Sequence, residues 1–144
     1  IMKGGCVKPM ISFSFPGDPN VQFQAVAALR GLAVQAHIRL AIVRAGALEP
    51  LILAAAADSV EVQREVAAAL ANLAMSEENK VAIARSGCLP ALVALCRSDD
   101  RERERHAATA ISNLAEMLEG RTQRKLLEEG SLDALLGLAE SSLE

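Results

Sequence analysis

A short glycine-led phrase recurs along the chain at a nearly constant interval, and no other feature constrains the fold as strongly. Gly46-Ala47-Leu48-Glu49-Pro50-Leu51-Ile52 returns as Gly87-Cys88-Leu89-Pro90-Ala91-Leu92-Val93 and, upstream, as Gly5-Cys6-Val7-Lys8-Pro9-Met10-Ile11. A weaker copy runs from Gly130 to Leu136. The glycines stand at 5, 46, 87 and 130, in steps of 41, 41 and 43. A second pattern keeps the same step. Val62 to Ala74 matches Val21, Gln22, Ala25, Leu29, Leu32 and Ala33, and matches again at Ala107, Ala110, Ile111, Asn113, Leu114 and Ala115. Two independent patterns sharing one period identify a true internal repeat. A unit this short cannot bury its own apolar face, so neighbouring units must stack.

Each unit predicts three helical stretches. The first, Asn79 to Arg85 in the clearest copy, stops where Gly87 can take a positive φ. The second carries Pro50 or Pro90 in its first turn, where the missing N–H costs no hydrogen bond. The third is the longest, with Asp18, Ser59 and Asp99 as expected N-terminal caps. Its Val62, Val66, Ala69, Leu70 and Leu73 follow the spacing of a buried helical stripe. Hydrophobic residues make up 51% of the chain but aromatics only 2%, which suits closely packed helices and argues against a β-sandwich.

A glycine, an apolar pair, a proline and Leu-Val, then a long helix ending Ala-Leu-x-Asn-Leu-Ala, resembles the armadillo repeat of the β-catenin, importin α and vacuolar protein 8 families. Glu78-Asn79-Lys80-Val81-Ala82-Ile83 adds to the likeness, which extends from about Gly4 to Leu138. HEAT repeats fit less well, because their helix pairs lack the short first helix and the Asn-Leu-Ala ending. The resemblance implies an all-α, right-handed superhelical solenoid. Residues 1–144 would form a single domain of about three full repeats plus partial ones at the ends, taken from a longer chain.

The same resemblance implies protein–protein interaction: an adaptor or scaffold holding an extended partner segment in a concave groove lined by the third helices. Asn72 and Asn113 occupy the position whose amide bonds a bound peptide backbone in these families, and an amide carries both donor and acceptor for that task. Capping of local backbone inside the solenoid is the competing role. The first unit carries Gly31 there, so the ladder is incomplete. Where importin α places tryptophans, this chain has Ala27, Ala68 and Thr109, which argues against nuclear-localisation-signal binding by that mechanism.

Seven residues before the asparagine position stand Gln24, Glu65 and His106, and helical spacing places Glu61, Glu102 and Glu116 on or near the same face. Arg30 is the one base assigned there, so an acidic groove favouring a basic, extended peptide is expected. An ordinary solvated face accounts for the same residues, and His106 suits an untitrating surface role as well as a pH-sensitive one. In the run Asp99 to Arg105, Glu102 is expected to reach Arg105. Arg103 takes the position of apolar Val21 and Val62, so either its stem lies along the core with the head in water or that helix starts late.

No phosphate-binding loop, metal-ligand spacing or nucleophile–base pair is present, so no catalysis and no cofactor are expected. A net charge of −3 offers no field for nucleic acid. The longest uncharged apolar run, Pro50 to Ala57, is too short for membrane insertion. Cys6, Cys88 and Cys96 lack paired spacing and suit reduced core thiols in the cytoplasm or nucleus. Uncapped apolar repeat ends, including Leu132, Leu135, Leu136 and Leu138, predict self-association. The alternative function is an architectural helical segment with no peptide ligand.

Overall fold

The computed structural model describes residues 7–116, which form eight α-helices and no strand. Helices α1 (Val7–Ser14) and α2 (Pro19–Leu32) are the second and third helices of one unit. Two complete units follow: α3 (Ala36–Arg44), α4 (Leu48–Ala54) and α5 (Val60–Leu73), then α6 (Glu77–Arg85), α7 (Cys88–Cys96) and α8 (Arg101–Ala115). The glycine phrase at 130–136, the leucines after it, and Gly4, Gly5 and Cys6 lie outside the described residues.

Local chemistry sets the element boundaries. Gly46 and Gly87 take φ of 97° and 90°. After Gly46, the N–H of Ala47 donates to the carbonyl of Ile42 at 3.3 Å and that of Gly46 to Val43 at 3.0 Å. This pair of bonds closes α3 and requires the left-handed residue that only glycine adopts without strain. Pro9, Pro50 and Pro90 each stand third in their helices, among N–H groups with no intrahelical acceptor.

The third helices open on side-chain caps. Asp18 Oδ1 accepts from the N–H of Asn20 at 2.9 Å, and Ser59 Oγ accepts from that of Val62 at 3.2 Å. In the last copy the cap is Asp100, accepting from the N–H of Arg103 at 2.9 Å, rather than the expected Asp99. Residues 18, 59 and 100 keep the 41-residue step, while Asp99 is solvent-exposed.

Helix α5 packs most extensively on α8 and α2, so the three third helices form the spine of the right-handed solenoid. Val62, Val66, Ala69, Leu70 and Leu73 are buried as expected, and Ala67, Ala68 and Ala71 are buried too because α5 has neighbours on nearly every side. Ala69 and Ala110 share one register position, and side chains this small let the helices approach closely. Leu29, Leu70 and Ile111 form a second buried row 41 residues apart.

Polar staples recur with the same period. Gln22 Nε2 donates to the carbonyl of Ser14 at 3.1 Å, and Gln63 Nε2 donates to that of Ala55 at 2.9 Å, each tying a third helix to the end of the second helix before it. Buried Asn79 donates through Nδ2 to the carbonyls of Leu73 and Arg39, joining consecutive units. Arg103 resolves the oddity of its position. Its stem enters the core and its head, instead of reaching water, donates to Gln63 Oε1 and, at 3.4 Å, to Asp99. Among the described residues no single helix is long and apolar enough to cross a membrane.

Candidate functional site

A cavity of about 300 Å³ opens across α2, α5 and α8, on the face their outward side chains share. Four residues expected from spacing line it: Glu61, Glu65, Glu102 and His106. Four others join them: Phe23, Arg30, Arg64 and Arg105. Sequence reasoning placed Arg30 but missed the other three. Phe23, Arg64 and Arg105 are themselves 41 residues apart, one position before the row it did choose, so the period held the signal.

This changes the electrostatics. The groove expected to be acid-lined carries three carboxylates and three guanidinium groups in its lining, with Asp100 a fourth carboxylate paired to Arg64. Arg30 Nη1 pairs with Glu65, whose side chain is only 14% exposed. Arg64 makes a two-pronged contact with Asp100, at 2.6 and 3.0 Å, and comes within 3.7 Å of Glu102. That guanidinium, with the N–H of Arg103, holds the Asp100 carboxyl well below the usual carboxylate range. The expected Glu102–Arg105 bridge is absent among the described residues, because Glu102 turns to the neighbouring helix instead.

Two charged groups in the cavity have no ion-pair partner among the described residues. Glu61 accepts from its own backbone N–H and from the Ser59 hydroxyl at 3.1 Å, and both lower its pKa. Arg105 is exposed on α8. Half-buried His106 sits beside it, and desolvation followed by the charges of Arg30 and Arg105 lowers its pKa, which favours neutral imidazole.

The remaining expected residues lie elsewhere. Gln24 is exposed and lines a separate apolar cavity of about 510 Å³ with Met10, Phe13 and Val21, beside α1. Glu116 follows the end of α8 with its carboxylate 4.0 Å from Lys80 Nζ on α6, outside the cavity. Asn72 and Asn113 are half-buried rather than on the solvent side of their helices. Asn72 Nδ2 donates to the carbonyl of Arg30 at 3.1 Å, and Asn113 Nδ2 donates to that of Ala71 at 3.0 Å. Each amide thus ties its third helix to the preceding one. Neither Oδ1 has a partner among the described residues.

Comparison with known proteins matches this geometry. No curated protein matches the chain. Among solved structures, a designed armadillo repeat protein superposes with a TM-score of 0.89 at 29% identity, over 95% of this chain and 58% of its own. An engineered protein superposes with a TM-score of 0.85 at 32% identity, over 92% of this chain and 54% of its own. A designed armadillo repeat protein in complex with the peptide (KR)4 gives a TM-score of 0.88 at 29% identity, over 95% and 58%. The chain therefore spans a little over half the length of these proteins. The profile of the armadillo/β-catenin-like repeat matches residues 35–75 and 76–116, each bounded at the loop where one helix triplet gives way to the next. With its period, helix triplets and glycine turns all agreeing, the chain belongs to the armadillo/β-catenin-like repeat family.

Proposed function

We propose that this chain is a non-catalytic interaction module, an adaptor or scaffold that holds an extended segment of a partner protein against α2, α5 and α8. The observation that carries this reading is the cavity crossing three successive third helices, in which Glu61 and Arg105 keep charges that the described residues do not neutralise. A ligand laid across the helices meets the same register positions once per repeat, as an extended chain requires. Asn72 and Asn113 each spend one N–H on the preceding helix and keep their oxygen and second N–H for a peptide backbone. A designed armadillo protein already binds a peptide, (KR)4, which supports the class of ligand.

Two finer points belong to the same reading. The module works in the cytoplasm or nucleus, where the Cys88 and Cys96 thiols, both pushed up to about 11 by burial, stay reduced. It also self-associates through apolar surface beside α1 and α2, where Phe13 and Val21 are exposed.

Selection from a displayed library of random extended peptides, followed by mapping of amide chemical shifts, tests the groove. The expected shifts cluster on α2, α5 and α8. Perturbations confined to α4 and α7, or no peptide recovered by the folded protein, would refute it.

A further inference from the structure

The pairing inside the groove identifies which of its charges a ligand can meet. Glu65 is committed to Arg30 and their charges cancel, while Arg64 is shared between Asp100 and Glu102, a trio that keeps one surplus negative charge. His106 faces Arg30, Glu65, Glu102 and Arg105, and its lowered pKa withholds a further positive charge near neutral pH. Besides that surplus, the cavity charges with no ion-pair partner among the described residues are one carboxylate, Glu61, on α5 and one guanidinium, Arg105, on α8. Glu61 lies in the first turn of its helix and Arg105 in the second turn of the next, and both line the same cavity from adjacent third helices. Packed helix axes lie roughly 8–10 Å apart, which an extended peptide covers in about two to three residues.

We propose that the groove selects a mixed-charge extended segment, with a basic side chain at Glu61 and an acidic one two residues away at Arg105, in place of the net-basic ligand the sequence suggested. This rests on the peptide-groove reading and adds the charge pattern of the partner. A uniformly basic segment gains at Glu61 but sets a like charge against Arg105, and the low-dielectric wall formed by half-buried Phe23 and His106 weakens the screening of that repulsion. An alternating peptide carries each sign on a different face, because successive side chains of an extended strand point opposite ways. The favoured pattern is therefore blocks of two.

Fluorescein-labelled (KKEE)2, (EK)4 and (KR)4 are titrated with the full 144-residue chain and read by fluorescence anisotropy in low salt. The wild-type order of affinity expected is (KKEE)2 first, with (EK)4, of identical composition, and (KR)4 weaker. The variant R105E should tighten (KR)4 and weaken (KKEE)2, each by roughly two- to fivefold, as expected for exposed charge pairs. E61K should weaken (KKEE)2 by a similar factor. Both residues are exposed, and circular dichroism of each variant checks that it remains folded. If wild type prefers (KR)4, or R105E leaves the order unchanged while peptides still bind, the charge pattern is wrong and the groove reading stands. If none of the three peptides binds the folded protein, both are overturned.

Discussion

Asn72 shows how a side chain expected to meet a ligand can first serve the stacking of repeats. Its amide bridges to the carbonyl of Arg30, one unit back, while its oxygen stays unpartnered among the described residues. Removing it deletes an inter-repeat hydrogen bond. The variant N72A should lose about 0.5–1.5 kcal/mol in urea unfolding, and N113A should behave alike, these being typical net values for such bonds. Unchanged unfolding midpoints would show that the bridges contribute nothing to stability. Asp100 supplies a second residue-scale test. Its folded-state pKa is depressed below the ordinary 3.8, so the stabilisation it provides is fully present above that value and fades as pH falls through the folded pKa. Acid unfolding of D100N should lack that component, giving a shallower loss of stability below about pH 4 than wild type, measurable by circular dichroism.

At the scale of elements, the most informative feature is a device used twice and missing once. Gln22 and Gln63 each donate to the carbonyl eight residues earlier, at the end of the preceding helix. The same position in the last described unit is Glu104, which as a carboxylate has no proton to donate to Cys96. Its charge instead contributes, after burial, to the raised pKa of the Cys96 thiol. Replacing it in E104Q should restore the staple, stabilising the array by about 0.5–1 kcal/mol, the worth of one hydrogen bond. The same change should lower the Cys96 pKa in thiol-reactivity profiles. A destabilised E104Q would mean that the carboxylate's interaction with the positive end of α8 outweighs the lost bond.

Across the whole molecule, stability and shape follow from nearest-neighbour stacking. Far-ultraviolet circular dichroism should be strongly helical, and small-angle scattering should give an elongated particle. Val21 on α2 is exposed at 42% and Phe13 on the adjacent α1 at 58%, whereas Val62, which holds the register position of Val21 one unit on, is buried to 1%. Exposed apolar side chains grouped in this way invite association. Sedimentation should show concentration-dependent oligomers that V21E disperses. Oligomers that persist unchanged in V21E would place the contact elsewhere.

The 41-residue period, the positive-φ glycines, the first-turn prolines and the buried stripe of α5 are all local or periodic properties, and the sequence by itself determined them. Periodicity also carried the right cap, Asp100, although the adjacent acids Asp99 and Asp100 obscured it. Tertiary structure alone decided how the charges pair. Arg64 is committed to Asp100 and Arg30 to Glu65 across gaps of 36 and 35 residues, and helix stacking brings those side chains together. Repeat register put Gln24 in the row of Glu65, and helical spacing on one element put Glu116 on the same face. Position in the stack puts Gln24 beside α1, and distance along the helix axis puts Glu116 past the end of α8, near Lys80. Whether a polar side chain on that face meets a neighbour or a ligand is set by the packing of adjacent repeats, which no single helix encodes.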